Sequence, residues 1–137
     1  MTVLCIGGEP GLLEMRKALL EVRGYVVLTV PDGVTGVAIS RKRSVDVTVL
    51  DFNFNSMDGY KAAAILMKEQ PTLPVVICSG SADDLPESLK WFADALVWKS
   101  DGPEAFLAAI EKAMGFKTAA RRSSTRVTAG TEGQLSA

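Results

Sequence analysis

The chain has 137 residues, 47% of them hydrophobic and 23% charged, with no histidine and a formal net charge of −1. That length fits one domain with its own core, and the missing imidazole excludes a Ser-His-Asp triad, a histidine general base and any His-ligated metal. The charge is uneven: residues 1–115 carry 11 Lys/Arg against 15 Asp/Glu, whereas residues 116–137 carry four basic residues and one acidic one. An acidic body argues against nucleic acid as its partner.

The predicted elements alternate in type along the chain. Short runs of continuous apolarity, Val3–Ile6, Val26–Val30, Val45–Leu50, Val75–Cys78 and Ala95–Trp98, have the character of strands covered on both faces. Between them lie helical segments. The first opens at Pro10, carries the stripe Leu12/Leu13/Met15/Leu19/Leu20 and stops at Gly24, with proline in the first turn and glycine past the end. The second runs from about Gly33 to Arg41 and has a basic end, Arg41-Lys42-Arg43, which suits the negative pole of a helix dipole. The third covers Gly59 to Glu69 and stops before Pro71. A short fourth helix opens at Pro86. The fifth starts at Asp101-Gly102-Pro103-Glu104, a capping-box pattern, and ends near Met114-Gly115.

Strict alternation of this kind predicts an α/β fold: a flavodoxin-like, doubly wound, five-stranded parallel sheet, (βα)5, in strand order 2-1-3-4-5. The domain is expected to span residues 1–115. Residues 116–137, rich in Ser, Thr, Ala, Gly and Arg with no apolar period, are expected to form a basic, disordered tail. No apolar stretch approaches the roughly 20 residues of a membrane helix. The start, Met1-Thr2-Val3-Leu4-Cys5, has the character of a strand rather than a signal peptide. Cys5 and Cys78 lie in apolar runs as reduced thiols, and a cytoplasmic location is expected.

Ligands of open α/β sheets bind at the carboxyl ends of the strands. There the order of elements brings together Gly7-Gly8 after the first strand, Asp51 at the end of the third, Ser79 at the end of the fourth and Lys99 at the end of the fifth. This layout resembles the receiver domain of two-component response regulators. The stretches that carry the resemblance are Glu9-Pro10, Leu50–Gly59 with its Met57-Asp58-Gly59 ending, Val76–Gly80 and Ala93–Lys99. The resemblance as a whole covers roughly residues 2–115.

The resemblance implies a stand-alone module in phosphorelay signalling. Asp51 would accept a phosphoryl group from a histidine kinase or phosphotransfer protein. Ser79 would hydrogen-bond the phosphoryl oxygens and Lys99 would neutralise them. Asp51 and the Asn53 backbone carbonyl would bind Mg²⁺. Output would pass to a downstream protein, with a homodimer through the helix 4/strand 5/helix 5 face as one form, and no enzymatic turnover beyond the phosphoacceptor step. The chemistry fits these residue types, since an aspartyl phosphate needs a carboxylate nucleophile, a donor and cations.

The chain departs from the family where two acidic metal ligands are expected, because both positions are glycine, Gly7 and Gly8. Mg²⁺ is held through one or two carboxylates with phosphate and water, so binding by Asp51 is expected to be weak. Glu9 is the nearest acid, and a helix-start role competes with a metal role for it. Gly7-Gly8 is either a tight turn or an N–H concavity for an anion. Counting Asp51 and Lys99 alone leaves the pocket near neutral. Lys99 can then pair with Asp51 permanently, and the alternative function is a pseudo-receiver: an interaction module independent of phosphorylation. Leu96 stands where the family carries a switching aromatic. Trp98, two residues on and on the same side of the strand, either fills that surface or packs against a helix. Phe52 and Phe54 either form a partner surface or turn onto the core.

Overall fold

A computed structural model describes residues 1–52, 57–80 and 85–128. Five parallel strands, β1 (Thr2–Ile6), β2 (Val26–Val30), β3 (Val47–Phe52), β4 (Val75–Ser79) and β5 (Ala95–Trp98), form one sheet in the order β2-β1-β3-β4-β5. Between and after them run α1 (Pro10–Val22), α2 (Gly33–Lys42), α3 (Met57–Glu69), α4 (Glu87–Phe92) and α5 (Gly102–Thr128). The expected flavodoxin-like order is the observed one.

Every residue of β3 and β4 is buried, which is why these strands have no polar alternation in the sequence. The side chains still divide by parity. Val3, Cys5, Val47, Val49, Val76, Cys78, Ala95 and Val97 pack with Leu20 of α1 and with Phe106 and Ile110 of α5. Leu4, Ile6, Leu50, Phe52, Val75 and Ile77 pack on the other face with Val37 of α2, Ala63 and Leu66 of α3 and Leu89 of α4. Phe52 therefore belongs to the core; Phe54 lies outside the described residues.

Several element boundaries differ from the expectation; β3 begins at Val47 rather than Val45 and α3 at Met57 rather than Gly59. Strand β3 extends two residues further, so Asp51 lies inside it and not at its end, because register with β4 continues through Asp51↔Cys78 and Phe52↔Ser79. Asp101 directly precedes α5, but residues Lys99–Asp101 form a single 3-10 turn, in which the Asp101 carboxylate accepts the Trp98 N–H at 3.2 Å. Helix α5 continues past Gly115 to Thr128. One glycine costs a helix about 1 kcal/mol, too little to stop a run followed by Lys117, Ala119, Ala120, Arg121 and Arg122. Residues 116–128, expected as disordered tail, are thus helical, and 129–137 lie outside the described residues.

Both cysteines are free and buried. Burial pushes the Cys5 thiol from 9.0 up to about 12 and the Cys78 thiol from 9.0 up to about 11. The folded chain therefore holds these protons at pH values where the unfolded chain has released them, and stability falls as pH rises from 9 toward 11–12. Urea midpoints at about pH 8 and about pH 10 are expected to show this fall, and a Cys5→Ala/Cys78→Ala variant to show a smaller one. Equal falls in both proteins would refute it.

Candidate functional site

The parity that sorts the core also sets the pocket. Asp51 lies on the same face of β3 as Val47 and Val49, and Lys99, just beyond β5, continues the face of Ala95 and Val97. Both side chains therefore turn toward α1 and α5. The Lys99 Nζ lies 2.9 Å from Asp51 Oδ1, so the expected direct pairing is present. Lys99 remains 38% exposed, while the Asp51 side chain is 3% exposed.

The second carboxylate oxygen is held by a residue absent from the sequence-based expectation. Arg16 of α1 donates from Nη1 to Asp51 Oδ2 at 3.1 Å. Its side chain is 5% exposed, and its guanidinium lies over the Phe106 ring of α5, 5.5 Å from the centroid. A desolvated ion pair stacked on an aromatic face suits arginine, which is weakly hydrated and planar. Among the described residues, two cations surround one carboxylate, a formal charge of +1, which corrects the near-neutral count made from Asp51 and Lys99 alone.

The turn after β1 makes room for this arrangement. Gly7 and Gly8 have φ of 80° and 98°, a region other residues rarely adopt. A Cβ on Gly8 would sit 3.0 Å from Asp51 Oδ2 and 3.4 Å from its carboxyl carbon. The carboxylate thus reaches into the space from which a side chain at position 8 would start. Glu9 occupies the N-cap position of α1 without a side-chain capping bond.

Ser79 closes β4 fully buried, opposite Phe52 in β3 and Trp98 in β5. The strand ends thus bring Asp51, Ser79 and Lys99 to one edge of the sheet. Leu96 and Trp98 both pack, partly buried, against the α2/α3/α4 side of the core, so Trp98 shares the face of Leu96. Asn53, whose carbonyl was the second expected metal ligand, lies outside the described residues.

Among the described residues the donors do not fit a divalent cation. Mg²⁺ needs about six oxygens, usually including one or two carboxylates. Among the described residues no cluster of three or more His, Cys, Asp or Glu is present. The Asp51 carboxylate has each oxygen taken by a basic side chain.

The comparisons with known proteins agree with this architecture. Residues 3–111 match the family model described as the response regulator receiver domain. The chain belongs to the response regulator receiver family. The transcriptional regulatory protein KdpE of Mycobacterium tuberculosis is 33% identical over 120 residues, which is 86% of this chain and 53% of that protein. The transcriptional regulatory protein GlrR of Escherichia coli is 29% identical over 114 residues, 82% of this chain and 26% of its own length. The chain thus spans between a quarter and about half of the length of these regulatory proteins. Among solved structures, a response regulator receiver domain protein from Clostridium thermocellum superimposes with a TM-score of 0.75 at 26% identity, covering 85% of this chain and 96% of that one. Among the described residues no helix of this receiver is long and apolar enough to cross a membrane.

Proposed function

We propose that this receiver acts as a protein-interaction module of a two-component pathway whose signalling state does not depend on phosphorylation of Asp51. The observation that carries this reading is the double ion pair on a carboxylate whose side chain is 3% exposed. A nucleophile must present a free oxygen to an incoming phosphoryl group; here each oxygen of Asp51 already has a cationic partner. Breaking a buried pair exposes an uncompensated charge, which costs about 3–5 kcal/mol. The module then works through protein contacts in the cytoplasm, with a pathway histidine kinase or phosphotransfer protein and a downstream protein as partners. A second copy docked through α4, β5 and α5 is one form of that contact. It carries out no enzymatic turnover.

A second reading keeps Asp51 as phosphoacceptor, and the placement of Lys99 favours it. In that reading Asp51 attacks the phosphoryl group of a partner's phosphohistidine, whose imidazole leaves. Ser79 and Lys99 would then bind the phosphoryl oxygens. Incubation with Mg²⁺ and a small phosphodonor such as acetyl phosphate, followed by intact-mass measurement, separates the two. The interaction-module reading expects no adduct on the wild-type chain. A phosphate adduct that disappears in Asp51→Asn would establish the phosphoacceptor instead.

A further inference from the structure

The misfit of a divalent metal and the burial of Arg16 are two sides of one arrangement. We propose that Arg16 is the resident cation of this pocket and stands in the place of the metal that the family's acidic pair would hold. The inference rests on reading Asp51 as a permanently paired carboxylate, and it names what does the pairing.

Three observations converge on it. The guanidinium contacts Oδ2, while Lys99 holds Oδ1, so Arg16 supplies charge to the side of the carboxylate that the lysine leaves uncovered. That same oxygen lies 3.0 Å from where a Cβ on Gly8 would be, which ties the missing acid at position 8 to the present position of Asp51. The guanidinium is also held from α5 by the Phe106 ring, and it donates its hydrogen bond to Asp51 across 35 positions of sequence. An arginine so buried needs a carboxylate, and a carboxylate so buried needs a cation. Each answers the other's desolvation without any metal.

The test is a set of thermal melts of the full chain in EDTA and in millimolar MgCl₂. The proteins are the wild type, Arg16→Met, Asp51→Asn and the double variant. Methionine keeps much of the apolar stem and removes the charge. The expected wild-type melting temperature is the same with and without Mg²⁺. Arg16→Met should melt lower in EDTA and regain part of the loss in Mg²⁺, with no such regain in the double variant, which lacks the carboxylate. Replacing Arg16 should also cost at least tenfold less in the unfolding equilibrium when Asp51 is already asparagine.

Equal losses in the two backgrounds would make Arg16 a packing residue and overturn the proposal. So would a wild-type melt that rises with Mg²⁺, or an Arg16→Met melt indifferent to it. If Arg16→Met does not fold while the double variant does, the coupling is demonstrated directly. If neither folds, Arg16→Lys against Arg16→Gln decides: a better-folded lysine variant supports the charge role, and equal stability overturns it. A phosphate adduct on the wild-type chain would refute the reading under Proposed function and would leave these melting curves unchanged.

Discussion

Asp51→Asn is expected to lower the stability of this receiver by roughly 3 kcal/mol, the lower end of the cost of leaving a buried charge without its partner. The sign is informative. A pocket with three acids and one lysine has an excess of negative charge, and neutralising one acid relieves repulsion. Here the excess is positive. Lys99, 38% exposed, can turn into solvent when the carboxylate goes, but Arg16, at 5%, cannot. The asparagine carbonyl still accepts one hydrogen bond, and the Phe106 ring still faces the guanidinium, which keeps the loss near the lower end. Urea unfolding of the wild type and the variant at neutral pH measures it. A neutral or stabilising substitution would show that the double ion pair contributes nothing to folding.

The second large effect is expected at Gly8. Gly8→Ala must place a Cβ on a backbone with φ of 98° and 3.0 Å from Asp51 Oδ2. Such backbone strain costs of order 1–3 kcal/mol, and the crowding also presses the carboxylate away from Arg16. Gly11 is the matched control: it lies in the first turn of α1, and a Cβ there would meet nothing within 4 Å. Gly11→Ala should stabilise by roughly 0.5–1 kcal/mol through the unfolded chain. Opposite signs for the two substitutions in the same denaturation assay are the expected result. A stabilising Gly8→Ala would show that the turn after β1 tolerates a side chain.

Much of this molecule is legible in its sequence because strands covered on both faces must be apolar throughout. The runs around Val3, Val26, Val47, Val75 and Ala95 identify the five strands, and strict alternation with helices fixes their parallel winding. Asp51, Ser79 and Lys99 are legible for the same reason: each is a polar residue at the edge of an apolar run. Arg16 is not. A lone arginine beside Lys17 in an exposed-looking helix has the character of a solvated side chain. Yet it lies four residues after Leu12 and four before Leu20, on the stripe that α1 turns inward. A charged residue on the apolar stripe, in a chain that lacks two expected acids, was the available signal. The end of α5 was illegible for a weaker reason: Gly115 lowers helix propensity locally, and the residues after it restore it.

The Arg16–Asp51 contact has one more consequence, for how the pocket relates to its surroundings. A metal's occupancy follows its free concentration and can be titrated away by a chelator. Arg16 is joined to Asp51 by the backbone, so its effective concentration at the carboxylate is fixed by the fold and cannot be diluted. The Arg16 charge in this pocket is thus insulated from ionic supply, and it leaves the carboxylate only when α1 moves relative to β3.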